Sequence, residues 1–273
     1  MSNLKVILPA AGNGTRLNLP YPKEILRLND HEALIDSSFN FFRDYGRKDV
    51  EFVVVINEHK TEIISYLAKY KDRYNISFVY QNPNEYEYTG AIKSAKHVFG
   101  EHNIVLLPDT IMTLSPNTDL FETVTNSLTE TGFTFLYKQE NDPNVLKTKG
   151  SLYVNSENIV ERYEDKPESG YGNFNAYWCA FAFRKRTFDS CMTFMEKSTL
   201  KQRIDNEEIK QTPIYKSKAI KVDDYVDLGT DLESWVESPN KSFSVWIKNG
   251  GNTSESRVFN VGYNNDATGY KDF

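Results

Sequence analysis

The chain reads as an α/β protein, and three observations carry that reading. Apolar runs at 4–8, broken only by Lys5, at 52–56 and at 104–107 are rich in β-branched residues, as buried strands are. Segments with helical periodicity alternate with these runs. The first run ends at Pro9 and leads into a loop holding Gly12 and Gly14, the form of a strand-to-loop turn whose backbone N–H groups can face an anion.

Each element follows in order. Residues 33–45 place Leu34, Ser38, Phe41, Phe42 and Tyr45 at helical spacing, with Gly46 in the position of a C-cap. After the strand 52–56, residues 60–70 put Ile63, Ile64 and Leu67 on one helical face. The spacing then predicts a strand over 76–80 and a helix over 89–99 with Ala91, Ile92, Ala95 and Phe99 inward. The strand 104–107 precedes a helix over 120–128, and a strand over 133–137 closes the series. Such alternation builds a parallel sheet with its crevice at the C-terminal edge of the strands.

The pattern changes near Glu140, where QENDPNVLKTKG is polar and turn-rich. Residues 151–154 and 159–163 then alternate as a β-hairpin does. The run AYWCAFAF, 176–183, is long and apolar enough for a central strand returning to the first sheet. Helices are expected over 188–197 and 202–210, and a short strand over 225–228 before Gly229. From Ser238 the text turns Ser-, Asn- and Gly-rich with isolated apolar pairs. This tail reads either as a surface-docked segment or as a strand-bearing arm for subunit contact. The division expected is one domain over 1–237, with halves 1–138 and 139–237, followed by the tail 238–273.

Composition bounds the function. With 39% hydrophobic and 26% charged residues, a globular chain of this length can bury a full core. A net charge of −6 argues against nucleic acid as a partner, so any phosphate affinity falls to local cations. Cys179 and Cys191 have no metal-type spacing and are too few for a disulfide scaffold. No apolar run has the length of a membrane span and no leader is read at the start, so a reducing cytoplasm is the expected location. His31, His59, His97 and His102 are expected on or beside helices, without a metal or catalytic role.

Within the first loop, Arg16 and Lys23 add two cations to the glycine turn, and Pro20 and Pro22 stiffen the chain before Lys23. The combination suits a polyphosphate. It is neither a dinucleotide fingerprint, which would need glycine where Leu17 stands, nor a Walker A loop, which needs Gly-Lys-Ser/Thr. Asp109 and Asp227 each follow or end a predicted strand, and two carboxylates brought together can hold Mg²⁺ through hard oxygen ligands. Asp223 and Asp224 compete with Asp227 for that place.

LPAAGNGTRL followed by PKE resembles the signature of the sugar-1-phosphate nucleotidyltransferases, whose pattern is a G-x-G-T-R loop and a P-K pair; the match falls on Gly12, Gly14, Thr15, Arg16, Pro22 and Lys23. YQNPN, TGA, LPDT, YEDKP and DLGT match further family motifs in the expected order. The resemblance implies a Rossmann-like, GT-A-like fold, mixed but mostly parallel, with a small β-rich sugar-binding insertion. It implies nucleotide binding by Ala10, Ala11, Gly12, Gly14, Thr15, Gln81, Thr89 and Gly90, with the Gln81 amide on the base and Gly90 admitting a close approach. Arg16, Lys23 and Lys166 would be the catalytic cations. Asp165, Lys166 and Tyr177 would bind the sugar phosphate, with Asp165 where the family usually has Glu. Asp109 and Asp227 would bind Mg²⁺. The implied substrates are an NTP, with UTP or dTTP ahead of CTP, and a sugar 1-phosphate, handled by a homo-oligomer.

Three rivals are weighed against it. A cytidylyltransferase of a phospho-alcohol shares the PAAG loop but has P-K-Q in place of P-K-E and a different second carboxylate motif. A non-catalytic nucleotide-sugar-binding regulator would be expected to have lost chemical positions that are filled here. A glycosyltransferase of similar fold would want D-x-D, whereas LPDT has one Asp.

Overall fold

The computed structural model describes residues 4–14, 19–45, 50–199, 212–227, 243–248 and 255–261. Its strands are β1 (Leu4–Pro9), β2 (Glu51–Ile56), β3 (Asn75–Tyr80), β4 (His102–Leu106), β5 (Thr110–Thr113), β6 (Phe133–Gln139), β7 (Gly150–Val154), β8 (Val160–Asp165), β9 (Ala176–Arg184), β10 (Ala219–Lys221), β11 (Asp224–Asp227), β12 (Phe243–Lys248) and β13 (Glu255–Val261). Its helices are α1 (Asp36–Tyr45), α2 (Glu62–Leu67), α3 (Glu87–Ser94), α4 (Leu120–Ser127), α5 (Pro143–Leu146) and α6 (Phe188–Thr199).

One sheet runs in the order β10-β6-β9-β4-β1-β2-β3, and the β7–β8 hairpin joins it through β9. The pairs β1·β2, β1·β4, β2·β3 and β6·β10 are parallel; β9 lies antiparallel between β4 and β6. The sheet is therefore mixed and mostly parallel, and the long apolar run at 176–183 is central to it.

Strand alternation sends successive side chains to opposite faces. Val6, Leu8, Phe52 and Val54 meet Phe39, Phe42, Ile63 and Leu67 on one side. Ile7, Val53, Val55 and Val105 meet Ala91, Ile92, Met192 and Met195 on the other. Two apolar cores on two faces explain why these strands carry no polar alternation.

A bulge interrupts this order in β9. Leu136 pairs with Ala180 and Tyr137 with Trp178, leaving Cys179 as the extra residue. The side chains change face there. Phe181 and Phe183 point into the second core, whereas Tyr177 and Cys179 point into the first.

Several boundaries differ from the sequence reading. The first helix begins at Asp36, because the Asp36 carboxylate accepts the Ala33 N–H at 2.8 Å and the preceding residues form a turn. The helix expected over 89–99 starts at Glu87 and gives way after Ser94 to a 3-10 turn at Lys96–Val98. His102 lies on β4, not beside a helix. The short strands β5 and β10 carry too few residues to show a period and were not anticipated. The expected helix 202–210 and the cap Gly46 fall outside the described residues. In the tail, β12 and β13 pair antiparallel with each other.

Candidate active site

The strand ends build the site. Beyond β1, Ala10 is fixed by its N–H to the Val55 carbonyl at 2.8 Å, and Ala11 is buried with it. Gly14 has φ +61°, a left-handed backbone that costs a Cβ-bearing residue about 1–2 kcal/mol. Among the described residues no atom lies within 4 Å of where a Cβ of Gly12 would stand, and Gly12 lines the crevice. Thr15 and Arg16 lie outside the described residues.

Two residues that sequence reasoning missed brace this loop from behind. The Asn57 amide donates to the Ala11 carbonyl at 2.7 Å and to Asn13 Oδ1 at 3.2 Å. Lys60 Nζ donates to the Ala10 carbonyl at 2.9 Å and to both oxygens of Glu24 at 2.8 and 2.7 Å. Lys60 and Glu24 are both buried. Burial raises the Glu24 pKa despite Lys60 and lowers the Lys60 pKa despite Glu24, so desolvation outweighs their attraction. The signal in the sequence was weak: a Lys and an Asn just past β2, adjacent to β1 only through the parallel pairing.

Lys23 sits in a 3-10 turn, Lys23–Ile25, directly after Pro22. Its Nζ donates to Asp109 Oδ2 at 2.8 Å. Burial pulls this ammonium's pKa down, but Asp109, with Glu24 and Asp227 behind it, holds it above the ordinary lysine value. Asp109 follows β4 in the turn to β5. The pairing of β5 with β11 sets Asp227 opposite Thr110, the neighbour of Asp109, so both carboxylates stand at one end of this ribbon. Asp227 Oδ2 in turn accepts from Lys149 Nζ at 2.6 Å, a lysine the sequence reading did not single out. Tyr225 lies close enough to feel both carboxylates: burial first, then Asp227 and Asp109 among its neighbours, raise its pKa.

A cavity of about 1170 Å³ opens along the C-terminal ends of β1 to β4. Ala11, Gly12, Gly14, Lys23, Gln81 and Asp109 all line it. Its far wall is the end of β3 and the segment from there to α3, with Tyr80 and Tyr86 57% and 76% exposed. Gln81 Nε2 donates to the Glu85 carbonyl at 2.7 Å. A carbonyl can only accept, so the amide orientation is set, and Oε1 remains an acceptor.

Thr89 and Gly90 are buried within α3. The close approach expected at Gly90 is made by the chain itself: a Cβ there would stand 2.7 Å from the Glu85 carbonyl carbon. Asp165, Lys166, Tyr177 and Asp227 do not line the cavity. Asp165 ends β8 with its N–H toward Ser198 Oγ at 3.4 Å. Lys166 is exposed, in a left-handed conformation with φ +46°, and donates its N–H to the Lys149 carbonyl at 2.9 Å. Tyr177 is buried edge-on against Tyr225.

A model of the nucleotidyl transferase family matches residues 5–237. The chain belongs to that family. No curated protein matches it by sequence. Among solved structures it is similar to a Bacillus anthracis protein assigned as a glucose-1-phosphate thymidylyltransferase, at 17% identity and TM-score 0.64, over 85% of this chain and 93% of that one. It is similar to a UDP-glucose pyrophosphorylase from Acinetobacter baumannii at 20% identity and TM-score 0.63, over 86% and 92%. HddC from Yersinia pseudotuberculosis aligns at 19% identity and TM-score 0.58, over 86% and 97%. These likenesses establish the nucleotidyltransferase fold for this family member.

Among the described residues no three His, Cys, Asp or Glu side chains gather into a metal cluster. The pair Asp109 and Asp227 still fits Mg²⁺, which takes one or two carboxylates and completes its shell with phosphate oxygens and water. No helix among the described residues is long and apolar enough to cross a membrane.

Proposed function

We propose that the protein transfers a uridylyl or thymidylyl group from UTP or dTTP to a sugar 1-phosphate, releasing pyrophosphate. The observation that carries the reading is the Lys23–Asp109 contact at a cavity framed by the glycine loop, with Asp227 paired to Thr110, the next residue along from Asp109. A phosphate oxygen of the sugar phosphate forms the new bond to the α-phosphorus, and the bond to the bridging oxygen breaks, pyrophosphate leaving with the electron pair. The nucleophile is already anionic, so no general base is needed and the chain's work is alignment and charge neutralisation.

Lys23 would hold the α-phosphate and Arg16 the departing pyrophosphate. Lys166 would steer the attacking phosphate, with Asp165 and Tyr177 on the sugar side. Gln81 Oε1 can accept from the imide N–H of uracil or thymine, a donor that cytosine lacks at N3. Mg²⁺ held by Asp109 and Asp227 would supply charge neutralisation between the two anionic substrates. The reading also takes the working form to be a cytoplasmic homo-oligomer.

A pyrophosphate-release screen of the common NTPs against a panel of sugar 1-phosphates, with and without Mg²⁺, tests this. Release that requires UTP or dTTP, a sugar 1-phosphate and Mg²⁺ is expected. Release with a phospho-alcohol and CTP alone, or none with any sugar phosphate, would overturn it.

A further inference from the structure

The two carboxylates are each neutralised by a lysine from a different part of the chain. Lys23 comes from the glycine-loop segment. Lys149 comes from the turn between α5 and β7, and its side chain and that of Asp227 are only 20% and 21% exposed. The Lys23–Asp109 pair is similarly sheltered, at 26% and 14%. Two positive and two negative groups sum to zero. A divalent cation entering such a site on its own would leave two net positive charges in a partly desolvated cluster, an unfavourable state until phosphates arrive.

Lys149 also has a place on the other side of the site. Gly150 pairs with Asp165 across the β7–β8 hairpin, and the Lys149 carbonyl accepts the Lys166 N–H just beyond that pair. The two lysines are thus backbone partners at one end of the hairpin. Ammonium groups offered from adjacent backbone positions suit a phosphate monoester dianion, which has several oxygens to share between them.

We propose that Lys149 is a displaceable counter-ion: it neutralises Asp227 in the free protein and, when a divalent cation enters with the nucleotide, turns to the phosphate monoester of the second substrate beside Lys166. This rests on the nucleotidyltransferase reading for the identity of that monoester. The exchange at Asp227 does not depend on it. Lys149 is then a binding residue for the second substrate, and its release couples occupancy of the metal site to readiness for that substrate.

The test uses the full-length protein and two readouts. In the first, Mn²⁺ alone is titrated into substrate-free protein and followed by electron paramagnetic resonance. Lys149→Met removes the competing cation, so Mn²⁺ should bind about tenfold more tightly than to the parent. Lys149→Arg keeps the charge and should match the parent, and adding Asp227→Asn to Lys149→Met should abolish the gain. In the second, Lys149→Met should raise KM for the sugar phosphate about tenfold or more while leaving that for the NTP near its parent value. A merely structural ion pair would leave Mn²⁺ affinity unchanged or weakened, and that result in a variant folded by circular dichroism overturns the proposal. Lys149→Gln serves in the same way if the Met variant fails to fold. Tighter Mn²⁺ binding with an unchanged sugar-phosphate KM refutes the phosphate-binding half. A parent with no sugar-phosphate turnover refutes the substrate reading, and the Mn²⁺ titration still decides the exchange.

Discussion

Lys60→Met is the most informative single change outside the phosphate-contacting residues. The Lys60 and Glu24 side chains are 5% and 2% exposed, and the Lys60 ammonium makes three hydrogen bonds of 2.7 to 2.9 Å. Methionine fills the volume but leaves the Glu24 carboxylate and the Ala10 carbonyl without their donor. Removing one partner of a buried pair costs about 3–5 kcal/mol. At about 2–4 °C per kcal/mol for a chain of this size, a loss near 4 kcal/mol lowers Tm by roughly 8–16 °C. The loss also depends on pH. Glu24 already has a raised folded pKa, and without Lys60 it rises further. A carboxyl of higher pKa folded than unfolded favours folding below its unfolded pKa and loses that contribution as pH rises through the folded value. The penalty should therefore be least near about pH 5 and grow towards about pH 8. Combining Lys60→Met with Glu24→Leu removes both charges and should restore most of the stability. Thermal melts followed by circular dichroism across that range decide it. A pH-independent loss below about 1 kcal/mol would refute the reasoning, since that is the scale of a solvated surface pair.

Asp109→Asn keeps size and removes a ligand charge, so turnover should fall by on the order of 10²–10⁴ with the fold intact; near-parent Mg²⁺-dependent rates would take Asp109 out of the site. Arg16→Ala should raise the Michaelis constant for NTP and Lys166→Ala that for the sugar phosphate, each measured for both variants; a Lys166 variant altered only in NTP use would move that lysine to the nucleotide side. Truncation after Pro239 removes β12 and β13, which pair with each other, and should leave the active-site residues in place while shifting the oligomeric state or lowering solubility. Light scattering with an activity assay reads it, and unchanged assembly at full activity would mark the tail as dispensable.

What the sequence made legible has a common character. The apolar runs of β1, β2 and β4, the glycine loop and the strand-end position of Asp109 are local patterns, and they appear where residue spacing put them. Lys60 with Glu24, and Lys149 with Asp227, are pairs 36 and 78 residues apart, and in each the lysine lacks any local signature. Their meeting depends on parallel pairing of β1 with β2 and on the β5–β11 ribbon, which no period in the chain announces. The bulge at Cys179 is of the same kind, since AYWCAFAF reads as one uniform apolar strand yet changes face midway. Gly90 reads as admitting close approach to a base, and the sequence could not say that the Glu85 backbone occupies the space a Cβ would take.

That contact at Gly90 governs how the far wall of the cavity comes into being. Glu85 rests on the bare Cα of Gly90, its carbonyl receives the Gln81 amide, and the Asn82 N–H donates to Ser94 Oγ at 2.9 Å. The segment is tied to the helix it precedes at several points before any ligand arrives. Its conformational entropy is lost during folding and not at the encounter, so recognition along this wall can be quick and shape-selective. The dimensions of the crevice on that side are inherited from helix packing, and a methyl group at position 90 would alter them from beneath.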